Sequence, residues 1–220
     1  AKSAGNKQKE KSENKTYKTL EIIKKPLYKK SIATMYNEVL KGFVKIWDEA
    51  KTSHGSGFFI TKDGFILTNK HVVSDNKFMT IELFSGREVP GEVIRTNDLD
   101  VALIKISDEN LCVPMPLRLE EPNPGTTVFS MGNPDNKDQV LSKGAITRYT
   151  ENSNGFRRIE SDSFSYGGVS GGPLMDKCGN VLGLNVEGWL DRATNYKTKL
   201  GLAMQVPIID ALEVLNIKIK

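Results

Sequence analysis

From Phe43 onward the chain is a succession of short strand-like runs closed by turn signals. FVKIW, SGFFIT, FILTN, MTIELF, EVPGEVIRT and VALIKI come first; after a proline-rich connector, PMPLRLEEPNPG, follow TTVFSMG, GAITRYT, RRIESD, GPLMD, NVLGLNVEG and LGLAMQV. Asp-Gly and Ser-Gly pairs between runs supply the positive φ angles of tight hairpins. About a dozen short strands with almost no helix between them point to antiparallel barrels and away from βαβ units. Two halves follow, Phe43 to about Ile106 and Thr126 to about Val206, joined by the connector.

Helical spacing is confined to the flanks. In SIATMYNEVLK, residues Ile32, Met35, Tyr36, Val39 and Leu40 form one apolar stripe with Ser31 at the N-cap. The stripe either docks on the barrels or binds a partner. A closing helix is expected in PIIDALEVLNI, with Ile208, Leu212 and Leu215 on one face. Residues 1 to about 18 hold almost nothing to bury and should be disordered alone.

Charge divides the chain in the same way. The net +4 conceals a front of 30 residues with ten lysines against three glutamates, which leaves the other 190 at −3. A slightly acidic body argues against a nucleic-acid partner, and no run approaches the roughly 18 apolar residues of a membrane span. The lysine-rich front could act as a tether to an anionic surface. Two cysteines are too few for a disulfide framework, and Cys178, in the hairpin-like DKCGN, reads as an unpaired small side chain. Two histidines with no ligand-spaced partner speak against zinc, and no cofactor is expected.

Three places could carry chemistry. His71, in ILTNKHVVS, follows an apolar strand where the chain reaches the surface. Asp100 opens DVALIKI, where a carboxylate needs hydrogen-bond donors; Asp98 in the same DLD is a competitor. Ser170 sits inside SFSYGGVSGGPLM among Gly167, Gly168, Gly171 and Gly172. Taken singly, each has a plain structural reading: a surface histidine, a turn aspartate, a glycine-rich loop. Together they fit a serine hydroxyl activated by a histidine base that an aspartate orients, beside backbone amides aimed at an oxyanion.

The order TNKHVV, DLDVALIKI, GGVSGGPL, with GSGFFITKDGFILTN, SMGNP, NVLGLN and GLAMQVP, resembles the chymotrypsin-fold serine proteases, in particular the bacterial HtrA/DegP-like branch. The likeness runs from about Phe43 to the C-terminus. It implies an all-β fold of two six-stranded antiparallel β-barrels, at about 43–110 and 124–207, in a protease domain of residues 31–220 behind a flexible extension of residues 1–30. It further implies His71 as general base, Asp100 as orienting carboxylate, Ser170 as nucleophile, and the Gly168 and Ser170 amides as oxyanion hole. The substrate pocket would take Phe164 as floor and Asn185, Val186 and Glu187 as opposite wall, favouring a small to medium apolar side chain before the cut bond. The expected activity is endopeptidase action on extended or unfolded polypeptide outside the cytoplasm, in the periplasm, at the cell surface or secreted. Homo-oligomers, trimers above all, are common in the branch.

Two departures qualify the resemblance. Val169 stands where trypsin has an aspartate and the branch usually an asparagine, so activation through an ion pair with a new N-terminus is not expected. Gly167 replaces a stiff proline, so the loop 163–169 is expected to sample an inactive arrangement, with one oxyanion amide pointing away, until substrate or a partner orders it. These features also keep open a peptide-binding, chaperone-like module with little or regulated activity.

Overall fold

The computed structural model describes residues 30–134, 138–163, 167–188 and 202–217, the side chains of 187 and 188 excepted. Residues 1–29 of the extension, and with them the tether, lie outside it.

The N-terminal stripe forms α1 (Ile32–Val39), capped by the Ser31 hydroxyl accepting the Thr34 amide at 3.1 Å. Met35 and Val39 are buried against the Gly179 hairpin, while Ile32, at 52% exposure, stays in solvent. The helix therefore docks on the body, with the Tyr36 hydroxyl donating to Gln139 O at 2.9 Å.

Twelve strands follow. β1 (Phe43–Trp47), β2 (His54–Phe59), β3 (Phe65–Thr68), β4 (Phe78–Leu83), β5 (Glu88–Thr96) and β6 (Ala102–Ile106) close in the order β1-β2-β3-β6-β5-β4. β7 (Thr127–Gly132), β8 (Val140–Glu151), β9 (Arg157–Ser161), β10 (Pro173–Met175), β11 (Val181–Gly188) and β12 (Ala203–Pro207) close in the order β10-β11-β12-β9-β8-β7. Counted from its own first strand, each barrel has the same cyclic order, and every strand pairing within them is antiparallel. The fold is all-β, two six-stranded antiparallel barrels. Closure removes the sheet edges that would otherwise invite aggregation. α3 (Ile208–Val214) ends the described chain, with Ile208, Ala211 and Leu212 buried.

The barrels are joined by a continuous apolar layer that includes Phe43, Phe58, Leu67 and Leu103 from the first, and Phe129, Met131, Leu184 and Val206 from the second. The connector stitches the same seam: the Met115 amide donates to Phe59 O at 2.9 Å, and Pro116 O and the Arg118 N–H both bond Val181, at 2.8 and 2.9 Å. Residues that leave opposite barrels at this seam are thus held in a fixed relation.

Candidate active site

β3 ends at Thr68, and the chain winds at once into a single helical turn, α2 (Lys70–Val73), which carries His71. Sequence periodicity gave no sign of so short a helix. Asn69, at the N-cap position, donates through Nδ2 to the carbonyl of Asp100 at 2.9 Å, which binds the helix to the start of β6. Asp100 adopts φ +67, a left-handed conformation that costs roughly 1 kcal/mol in a residue with a Cβ. Its carboxylate accepts twice from the same residue, from the His71 backbone N–H at 2.9 Å and from Nδ1 at 2.7 Å. With Nδ1 donating to a carboxylate, Nε2 is left as the ring's basic nitrogen. Asp98 does not compete: its side chain, 90% exposed, pairs with Lys70 at 3.2 Å.

Ser170 comes from the second barrel, on the turn between β9 and β10. Gly171 has φ +83, and a Cβ there would lie 2.1 Å from Ser56 O; one on Gly168, at φ +86, would lie 2.1 Å from Asn133 O. Glycine is required at both because the turn runs in backbone contact with β2 on one side and with the end of β7 on the other. Val169 is buried against Gly132. Carbonyls on this turn are tied down: Gly168 O accepts the Ser56 hydroxyl at 2.7 Å and the Asn133 amide at 3.2 Å, and Ser170 O accepts the Ser56 amide at 2.8 Å. The amides of Gly168 and Ser170 donate to none of the described residues.

Thus His71 and Asp100 are brought into direct contact, whereas Ser170 is bonded elsewhere. Its hydroxyl donates to Val186 O at 3.2 Å, and no hydrogen bond joins it to His71. The two sides still meet through β2. A Cβ on Gly55 would touch Val72, the neighbour of His71, at 2.6 Å, and Ser56 holds Ser170.

Of the expected substrate pocket, Phe164 lies outside the described residues, as do the rest of 164–166 and the Glu187 side chain. Asn185 is buried, its carboxamide donating to Ser130 Oγ at 2.8 Å. Val186 is buried and offers Ser170 its carbonyl. Ser56 and Asn133, which bond the Ser170 turn, were not singled out from the sequence, although GSGFFITKDGFILTN and SMGNP contain them.

Among the described residues, no group of three His, Cys, Asp or Glu side chains could hold a metal ion. Both cysteines are free. Burial pushes the Cys112 thiol up to about 11, where it is unreactive at neutral pH. A cavity of about 660 Å³ at the β10–β11 hairpin, lined among others by Arg118, Asp176 and Cys178, shares no residue with the His71 and Ser170 region.

A family model described as trypsin-like peptidase domain matches residues 55–184. The chain is 34% identical over 168 residues to a probable periplasmic serine endoprotease, DegP-like, of Pseudomonas fluorescens, covering 74% of this chain and 34% of that protein. It is 27% identical over 192 residues to the serine endoprotease DegS of Salmonella typhimurium, covering 84% of this chain and 53% of the relative. Among solved structures it is similar to the HtrA-type protease AlgW with tripeptide, at a TM-score of 0.76 and 26% identity over 85% of this chain and 63% of that one. A serine endoprotease from Yersinia pestis gives a TM-score of 0.72 at 26% identity, covering 85% and 66%. The chain spans about a third of the length of the DegP-like relative.

Proposed function

The chain belongs to the trypsin-like peptidase family, in its HtrA/DegP-like branch, and on that premise we propose that it is a serine endopeptidase with Ser170 as nucleophile, His71 as general base and acid, and Asp100 as the carboxylate that orients the imidazole. The observation that carries the reading is the pair of hydrogen bonds from His71 to Asp100, which leaves Nε2 as acceptor, together with a serine on a glycine-framed turn of the second barrel.

In the first step the Ser170 hydroxyl leaves Val186 O, turns to Nε2 and attacks the peptide carbonyl while His71 takes its proton. A looser nucleophile–base contact before substrate arrives is common in such sites. The carbonyl oxygen, now anionic, accepts from the Gly168 and Ser170 amides, which are unpaired among the described residues. His71 returns the proton to the leaving amine. Water then enters, gives a proton to the same nitrogen and attacks the acyl carbon; as the acyl–Oγ bond breaks, His71 returns that proton to Ser170 Oγ and the acid is released.

Extended polypeptide is the substrate this reading favours, cut after a small to medium apolar residue. Periplasmic naming of the DegP-like relative supports action outside the cytoplasm. The test is labelling by a fluorophosphonate together with cleavage of an unfolded protein. Stoichiometric modification of Ser170 is expected, and Ser170→Ala should lower kcat by roughly 10⁴-fold or more. An unlabelled wild type from mildly acid to mildly alkaline pH would leave a binding module as the better description.

A further inference from the structure

Resting on that reading, we propose that Ser56 is a positioning residue for the oxyanion site, holding from the first barrel the two carbonyls that set the pose of the Gly168 and Ser170 amides in the second. Ser56 is fully buried. Its hydroxyl donates to Gly168 O at 2.7 Å and accepts from Asn133 N and Nδ2, each at 3.1 Å, which fills its capacity of one donor and two acceptor positions. Its backbone N–H donates to Ser170 O at 2.8 Å, and its own carbonyl accepts the Thr68 hydroxyl at 2.7 Å, so the residue is itself held rigidly to β3.

Peptide planarity turns these bonds into constraints on catalysis. Gly168 O and Ser170 O bracket Val169, so the Ser170 N–H lies between two pinned peptide planes. The Gly168 N–H lies in the plane upstream of the first of them, related to it by the φ and ψ of Gly168. Glycine itself supplies no restraint at 168, having no Cβ to limit ψ. Without the Ser56 hydroxyl, Gly168 O keeps only the 3.2 Å contact from the Asn133 amide, and Asn133 Nδ2 loses its acceptor. The turn would then move relative to β2 while the His71–Asp100 pair, which makes no bond to Ser56, stays intact.

The role predicts a loss confined to the transition state. Wild type, Ser56→Ala and Ser56→Cys are compared for kcat and KM on a peptide substrate, for affinity toward a peptidyl boronic acid, which forms a tetrahedral adduct, and for Tm. The cysteine keeps the volume but is a poor donor, so it separates the hydrogen bond from packing. Both variants should lose about 10- to 100-fold in kcat with KM changed less than about 2-fold, and boronic acid affinity should fall in proportion to kcat/KM. The proposal is overturned by a Ser56→Ala enzyme with kcat within about 2-fold of wild type, by a cysteine variant of full activity, or by unchanged boronic acid affinity. If Ser56→Ala does not fold, the cysteine variant decides alone. A wild type that fluorophosphonate does not label overturns the protease reading itself, and this inference with it.

Discussion

The first barrel packs Val44, Ile46, Phe59, Ile66, Met79, Ile81, Ala102, Ile104 and Ile106 in one large buried apolar cluster, with Ser56, Thr61, Thr68 and Asn69 as buried polar residues around it. The second, closed in the same order, keeps a smaller apolar cluster of Val128, Ile146, Ile159, Leu174 and Leu182. Beside it are buried Ser130, Ser161, Ser163, Asn185 and Gln205. These polar groups bond one another, Gln205 Nε2 to Ser161 Oγ at 3.1 Å, Ser161 Oγ with Ser163 Oγ at 2.7 Å, and Asn185 Nδ2 to Ser130 Oγ at 2.8 Å. The contribution each makes to the site follows the same division. In the proposed site barrel one supplies side chains, His71 and Asp100, standing on a mainly apolar platform and tied by the Asn69 bond to Asp100 O. Barrel two supplies a turn, carrying the Ser170 hydroxyl and the Gly168 and Ser170 amides, whose path is set by directional bonds. Apolar packing tolerates small volume changes, whereas a directional network loses a whole bond when one partner goes.

The hardest break in this comparison is Gly171→Ala, because its Cβ would strike the Ser56 carbonyl and the Thr68 hydroxyl, at 2.1 and 2.3 Å, in a left-handed conformation. A cost on the order of 3 kcal/mol is expected in denaturant unfolding, with activity lost from whatever folds. Gly86→Ala is the control. Gly86 has φ +80 and nothing within 4 Å of the added carbon, so it should cost only about 1 kcal/mol and leave kcat alone.

A second pair of variants sets the fillings against each other. Ile104→Ala, in the fully buried cluster of barrel one, should cost about 2 to 5 kcal/mol by transfer and cavity terms. Asn185→Ala removes a donor from the buried Ser130 hydroxyl and should cost about 1 to 3 kcal/mol. Equal costs with equal effects on kcat would erase the distinction drawn here.

The smallest expected effect is a pH dependence in barrel two. Burial alone would raise the Glu160 carboxyl, but hydrogen bonds from Arg148 and Thr147, with the arginine's charge, outweigh it and hold the group below its ordinary value of 4.5. A carboxylate depressed on folding contributes stability that is fully present above the unfolded value and lost as pH falls through the folded one. The Tm gap between wild type and Glu160→Gln should therefore be widest above about pH 5 and narrow on acidification. A gap that widens toward acid would mean that Glu160 is not stabilised as a carboxylate.

Local pattern carried most of the fold. FVKIW and EVPGEVIRT coincide with β1 and β5 residue for residue, Ser31 caps α1 as the motif required, and DKCGN is a turn in which Asp176 accepts from Cys178 and Asn180 amides at 2.8 and 3.1 Å. What local pattern could not carry is visible at DLD. Strand parity did not separate the two carboxylates, and only the family likeness favoured Asp100; with β6 paired to β3, Asp100 meets His71, 29 residues away, and Asp98 faces solvent. The glycines around Ser170 singled it out as the proposed nucleophile; its bond to Val186 was not legible in the sequence.

The amino-acid sequence by itself determined where strands, turns and caps fall and which residue types were available for chemistry, because those depend on dihedral preference and on spacing between near neighbours. Tertiary structure brought Asp100, the carboxylate the family likeness implied, to the imidazole, and it alone decided that Ser56 grips Gly168 across 112 positions. Such bonds exist only after barrel closure sets the distances, and no periodicity encodes a register between segments that far apart.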